Sequence, residues 1–384
     1  MTCSGRNAFD GEPIEITFEK KIERIAVSRD SSGIYLAPAW IDLQVNGFAG
    51  ADYNDPALPH DSIARSIQAL FATGVARFYP TVITGAPDRM EGALRNLSAA
   101  KDTLAEGEAI DGFHVEGPHI SPEDGPRGAH PARWVRPPDF DEFRRWQDAT
   151  GNRVRIVTLS PEWPEAPAYI ERITAEGVVA AIGHTGATSE QIAAAVAAGA
   201  TLSTHLGNGA HAVLRRYNYI LDQLADDRLM ADFIVDGIHL PAPFLKIALR
   251  AKGPERTVLV TDAAAPAGCA PGRYRLGEVD VELTPDQRVV MAGKDRLAGS
   301  ALRMDRGVEN VMRIGGLSLS GAVRTATVNA AKAGRVPLRE NGLAAGDRAD
   351  LIEFHFTEQN ARLEILSTRL AGREVYRNNA SAPR

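Results

Sequence analysis

Residues 183 to 211, GHTGATSEQIAAAVAAGATLSTHLGNGAH, constrain the fold more than any other stretch, because they set two histidines at the ends of consecutive strand-like segments with one helix between. His184 closes VVAAIGH and His205 closes ATLSTH. The intervening SEQIAAAVAAGA has the small-residue composition of a crossover helix, with Thr188 or Ser189 as its N-cap and Gly199 as its stop. In a parallel βαβ unit neighbouring strands end on the same face of the sheet, so the two imidazoles are expected side by side at a strand C-terminal mouth. A metal is expected to be held there.

The same pattern recurs along the chain from about Leu36. Apolar strand candidates precede helix-like stretches eight times: APAWIDLQVNG, ARFYPTVITG, IDGFHVEGPH, VRIVTLSPE, VVAAIGHTG, ATLSTHLGN, MADFIVDGIHL and RTVLVTDAAA. Nearly all end in polar or Gly-rich loops, which predicts an α/β fold, a (β/α)8 TIM-like barrel with its chemistry at the strand ends. Outside this region the period changes to two. Ile14, Ile16 and Phe18 alternate with Glu15 and Thr17, and the C-terminal segment from about Gly346 repeats the style in ADLIEFHF, ARLEILSTRL and REVYRN. Both termini are therefore expected to pair into one small β-sandwich domain, residues 1–36 with 343–384, around a barrel at 37–342. A chain of 384 residues is long enough for a barrel of about 250 residues and a smaller domain.

Composition narrows the function classes. The net charge of -6 and the lack of a basic run argue against nucleic acid as a partner. Two cysteines far apart, Cys3 and Cys269, offer neither a disulfide framework nor a paired-cysteine metal site. The polar N-terminus and the lack of any run of about 18 apolar residues argue against a membrane, and a cytoplasmic location is the expectation.

Sorted by chemistry, the strand ends bring Glu116 flanked by His114 and His119, then His184, His205, His239 and Asp262. One carboxylate and two imidazoles suit Zn2+ or Fe2+ with an open position for water, and an unliganded aspartate nearby is placed to take the water's proton. A lone histidine is more often a hydrogen-bonded core or surface residue, and a lone strand-end aspartate more often a helix cap. The joint pattern carries the argument, since gathering several titratable groups at one mouth is costly unless a metal or pairing compensates.

IDLQVNG at 41–47, HVEGPHISPE at 114–123, RGAHP at 127–131, GHTGAT at 183–188, STHLGN at 203–208, DGIH at 236–239, LVTDA at 259–263 and LAGSAL at 297–302 occur in this order across almost the whole chain. Through these blocks the sequence resembles the N-acetylglucosamine-6-phosphate deacetylases of the amidohydrolase superfamily. The resemblance implies a metal-dependent hydrolase barrel flanked by a sandwich from both termini, and a homodimer. It implies Glu116, His184 and His205 as metal ligands, Asp262 as catalytic acid/base, and His130 as the histidine on the substrate's acetyl carbonyl. Many amidohydrolases carry His-x-His at the end of the first strand and bind two metals. Here those positions are Gln44 and Asn46, neutral amides that ligate transition metals poorly, so one divalent metal is expected, with the amides orienting water beside it. Some members of the family share this amide pair.

The substrate loop departs from the family. After the second metal histidine the family has His-x-aromatic-Asn-Ala-Met, whereas this chain reads His205-Leu206-Gly207-Asn208-Gly209-Ala210-His211. Asn208, Gly209 and His239 match substrate-contacting positions, and Arg215 or Arg216 follows at the distance from which the family holds a sugar phosphate. The expected substrate is N-acetylglucosamine 6-phosphate. The alternatives are an unphosphorylated or different N-acyl amino sugar or small amide, and a non-catalytic protein on the same fold, which the intact Glu116, His184, His205 and Asp262 argue against. Cys269 in AAPAGCAPG is assigned a passive loop role, and Trp40, Phe48 and Trp134 are assigned to packing.

Overall fold

The computed structural model describes residues 1–29, 32–337, 339 and 342–378. The eight apolar segments each form a parallel strand: Trp40–Val45, Val75–Ile83, Phe113–Glu116, Val154–Leu159, Val179–Ile182, Leu202–Ser203, Met230–Ile234 and Thr257–Val260. They lie side by side in chain order. The ring closes where the eighth meets the first: Val45 bridges Ala263 in parallel, and the Asp262 N–H donates to the Gln44 carbonyl at 3.0 Å.

Successive side chains alternate between two cores. Ile156, Val179, Ala181, Met230 and Val258 fill the barrel, while Val157, Ala180, Ile182, Ala231 and Leu259 pack against the surrounding helices. Burial on both faces is why these strands read as apolar runs instead of alternating ones. The helix Val328–Gly334 closes the N-terminal end of the barrel, where the Asn329 amide donates to the Thr257 carbonyl at 2.7 Å. The crossover helix Ser189–Ala197 starts as expected. Thr188 accepts from the Gln191 N–H and the Gln191 side chain accepts from the Thr188 N–H, a reciprocal cap.

The termini build one seven-stranded sheet from Thr2–Asn7, Pro13–Phe18, Ile22–Val27, Ile34–Pro38, Leu351–Thr357, Arg362–Leu370 and Arg373–Arg377. Ile34–Pro38 runs antiparallel to Leu351–Thr357 and joins the two ends of the chain. The sheet then folds back on itself: Ile22 N donates to Asp347 O and Ala349 N to Lys20 O, enclosing Ile14, Ile16, Phe18, Leu36 and Leu351 as a sandwich core. The alternation seen in the sequence is thus the buried face.

One element goes beyond the sequence expectation. After the eighth strand the chain forms an antiparallel meander, Gly272–Leu276, Val279–Leu283 and Val289–Met291, that sets Leu276 and Val279 over the strand C-terminal mouth.

Candidate metal centre and active site

Glu116 ends the third strand with its side chain on the same face as His114, directed into the mouth. Its Oε1 lies 3.0 Å from His184 Nε2 and 2.7 Å from His205 Nε2. All three residues are buried. The pleat does not explain the two histidines. Val179 and Ala181 point inward and Ile182 outward, so a continued strand would send residue 184 toward the helices. Instead His184 takes a left-handed backbone (φ 49°), as do His205 (φ 28°) and Asp262 (φ 50°). Three non-glycine residues in this region cost about 1–3 kcal/mol each, a strain that persists where surrounding structure holds it and that gathers at functional sites.

The donor set fits a cation. His184 Nδ1 lies 2.8 Å from the Pro126 carbonyl, which can only accept, so the ring carries its proton there and presents the Nε2 lone pair to Glu116. Facing lone pairs on a carboxylate and an imidazole need a proton or a metal between them. His205 Nδ1 is buried without a hydrogen-bond partner among the described residues. Without a cation, burial disfavours the His205 imidazolium, but the hydrogen bond and charge of Glu116 outweigh it and raise the pKa to about 9. Glu116 is held well below the usual carboxylate range: burial opposes this, and the two histidines prevail.

A second grouping shares two of these residues. One ligand atom each from Glu116, His130 and His184 lies within 4.8 Å of the others. His130, however, meets the group through His184 Nε2 itself, at 3.3 Å, while its Nδ1 engages the Thr84 hydroxyl at 2.8 Å. His205 shares one Glu116 carboxylate oxygen with His184, whereas His130 reaches the group through His184. Burial, reinforced by His184, pushes the His130 pKa down to about 3, so this ring is neutral.

Asp262 stands at the barrel closure. Its Oδ1 accepts from Asn46 Nδ2 at 2.6 Å and Gln44 Nε2 at 3.1 Å. The two amides therefore grip a carboxylate with their NH2 groups, and their oxygens, Gln44 Oε1 and Asn46 Oδ1, are buried without partners. Burial and the charge of Glu116 raise the Asp262 pKa to about 6.

A cavity of about 610 Å³ opens above these groups. Asn208, Gly209 and His239 line it. Asn208 Nδ2 donates to the His205 carbonyl at 3.0 Å, and His239 Nδ1 is tied to Asp236 at 2.6 Å. Arg215 and Arg216 are exposed and outside this cavity. The arginines on its wall are Arg288 and Arg296, paired with Asp295 and Asp124 respectively. His114 and His119 are structural. His114 links Leu43 O to Thr158 inside the barrel, and His119 packs between Trp146 and Tyr169.

No family model matches the chain. It is 32% identical over 321 residues to N-acetylglucosamine-6-phosphate deacetylase of Bacillus subtilis, covering 83% of this chain and 80% of that protein. It is 33% identical over 382 residues to the bovine (Bos taurus) protein of the same name, covering 97% and 90%. The chain belongs to the N-acetylglucosamine-6-phosphate deacetylase family. Solved structures of the family superpose closely. A Mycobacterium smegmatis deacetylase, an aspartate-to-alanine mutant in complex with N-acetyl-D-glucosamine-6-phosphate, gives a TM-score of 0.85 at 31% identity, covering 94% of both chains. The Thermotoga maritima deacetylase also gives 0.85, at 25% identity over 98% of this chain and all of that one.

Against this deacetylase scaffold, several supporting groups escape sequence reasoning. Asp42 is buried and accepts from Thr261 Oγ1 at 2.6 Å and Thr261 N at 3.2 Å, bracing the residue before Asp262. Asp232 accepts from the backbone of His205. Thr84 and Pro126 are ordinary residues whose roles exist only through the fold. Only Asp42 and Asp232 carried a signal, a carboxylate inside an otherwise apolar strand.

Proposed function

We propose that this protein hydrolyses the N-acetyl group of an amino sugar, with N-acetylglucosamine 6-phosphate as its substrate. The observation that carries the reading is the convergence of Glu116, His184 and His205 beside Asp262, in a chain of this family. One divalent cation, Zn2+ or Fe2+, suits these ligands and supplies Lewis acidity toward a water and a carbonyl oxygen. Asp262 takes the proton of the attacking water on its free carboxylate oxygen and returns it to the departing amine. Gln44 and Asn46 occupy Oδ1 of Asp262 and so leave Oδ2 to face the water. His130, neutral and held at Nδ1 by the Thr84 hydroxyl, turns Nε2 toward the centre, where the tautomer protonated on Nε2 donates to the developing oxyanion. Asn208, Gly209 and His239 hold the sugar.

The phosphate assignment has a competitor. Arg215 and Arg216 lie outside the cavity, and Arg288 and Arg296 are already paired, which favours an unphosphorylated N-acyl amino sugar as the second reading. The segment carrying Arg215 and Arg216 also exposes Val213 (88%) and Tyr217 (80%), and we assign this surface to a second copy of the chain in a homodimer. Among the described residues no helix is long and apolar enough to cross a membrane. Cytoplasmic placement is part of the same reading, supported by the free thiols of Cys3 and Cys269.

Acetate release from N-acetylglucosamine with and without the 6-phosphate tests the assignment. The phosphorylated sugar is expected to be preferred. An arginine of the exposed 213–217 segment that reaches the phosphate only in the assembled dimer would show itself as a loss of about 2–4 kcal/mol in kcat/KM on that substrate in Arg215→Ala or Arg216→Ala, with little loss on the other. Equal losses on both substrates, or a wild-type preference for the unphosphorylated sugar, would establish the second reading.

A further inference from the structure

The two histidines that meet Glu116 are held in different ways. His184 is pinned through its ring, with Nδ1 on the Pro126 carbonyl at 2.8 Å. His205 lacks that support: among the described residues its buried Nδ1 has no partner, and its Nε2 is on Glu116. Its backbone leaves the strand at φ 28°. The N–H of this turn points to a carboxylate, with Asp232 Oδ1 accepting from His205 N at 2.5 Å. The carbonyl of the same aspartate accepts from Leu206 N at 3.0 Å, so Asp232 clasps the chain on both sides of the His205 peptide unit.

Asp232 sits in the middle of the seventh strand, 1% exposed, on the inward face it shares with Met230 and Ile234. A carboxyl there is costly to bury unless it satisfies a particular donor. The donor is the backbone of a metal-ligand candidate, and no step of the hydrolysis uses Asp232 itself.

We infer that Asp232 is a positioning residue that holds the His205 backbone in its left-handed turn, keeps Nε2 aimed at the metal position, and thereby sets the affinity of the centre for its cation. The inference rests on Glu116, His184 and His205 being the ligand set. Because the His205 ring has no second hydrogen bond of its own, its aim depends on the backbone clasp, whereas His184 keeps its aim through Pro126.

Metal-free protein titrated with Zn2+ against a chromophoric chelator tests this, with thermal melting of the same metal-free samples as control. Wild type should bind one equivalent. Asp232→Ala should melt in one cooperative transition yet bind Zn2+ about 10–100-fold more weakly, the usual consequence of losing an outer support of a ligand. Asp232→Asn retains an oxygen that can accept the N–H and should recover most of the loss. Added to His205→Asn, in which the ligand is already gone, Asp232→Ala should weaken binding no further. Wild-type affinity in Asp232→Ala, an Asp232→Asn variant as weak as Asp232→Ala, or an undiminished loss in the His205→Asn background would overturn the proposal. If Asp232→Ala does not fold, Asp232→Ser, polar but too short to reach, carries the same comparison. A folded wild type that binds no Zn2+ would overturn the ligand assignment, and the proposal with it, before any variant is compared.

Discussion

The acid/base role proposed for Asp262 turns on one carboxylate and the two amides that hold it. In Asp262→Asn the fold and the metal should be retained, while kcat falls by about 10²–10⁴-fold, because an amide cannot carry the proton between water and amine. A metal-loaded variant turning over at the wild-type rate would place the base elsewhere. The same side chain sets a pH dependence. Burial and the negative charge of Glu116 lift Asp262 to about 6, and its hydrogen bond from Asn46 pulls it down. As a base Asp262 works only ionised, so kcat/KM should fall on the acid side as this carboxylate takes up its proton. Removing the donor in Asn46→Ala raises the carboxyl further, and the acid limb of the profile should move to higher pH. A limb that stays in place or moves to lower pH would show that the amides do not govern this proton.

Loops and strands differ in how much of them the sequence discloses. Eight strands and the Thr188 cap are legible because doubly buried parallel strands leave apolar runs and capping leaves a fixed spacing. The strand Thr2–Asn7 is not, since TCSGRN has no apolar alternation, and the meander at 272–291 hides behind charged residues such as Arg273, Arg275, Asp280 and Glu282. Nor does any spacing announce that His184 and His205 leave the pleat with left-handed backbones, because that depends on Pro126, Asp232 and other distant partners. The loop 205–211 shows the consequence. Gly209 has φ 54°, and a Cβ there would lie 2.5 Å from His184 Nδ1 and 3.0 Å from Pro126 O. In this chain Gly209→Ala should displace the His184 ring, weaken metal binding, and cost about 1–3 kcal/mol of stability, read by chelator competition and melting. An unchanged metal affinity would mean that the loop does not lean on the metal centre.

At the scale of the whole molecule, the barrel and the terminal sandwich are riveted by a buried charge cluster. Asp350 Oδ2 accepts from Arg339 Nη1 at 2.8 Å and Arg77 Nη1 at 3.4 Å, and Arg339 also reaches the Ala39 carbonyl at 2.7 Å. Burial would raise the Asp350 pKa, but its arginine neighbours hold it below the ordinary value. Arg77 keeps its second carboxylate, Asp111, so Asp350→Ala leaves the buried Arg339 guanidinium without its anion and should cost about 3–5 kcal/mol, with a matching fall in Tm. A change under about 1 kcal/mol would mean that this cluster does not hold the two parts together. Within that frame we propose that a single cation at Glu116, His184 and His205 serves the hydrolysis of an N-acetylated amino sugar. The most direct measurement is to titrate metal-depleted protein with Zn2+ while following acetate release from N-acetylglucosamine 6-phosphate. The expected result is no acetate without metal, then a rise that breaks sharply at one equivalent per chain. Activity in the metal-free protein, a rise that continues to two equivalents, or no acetate at full occupancy would contradict it.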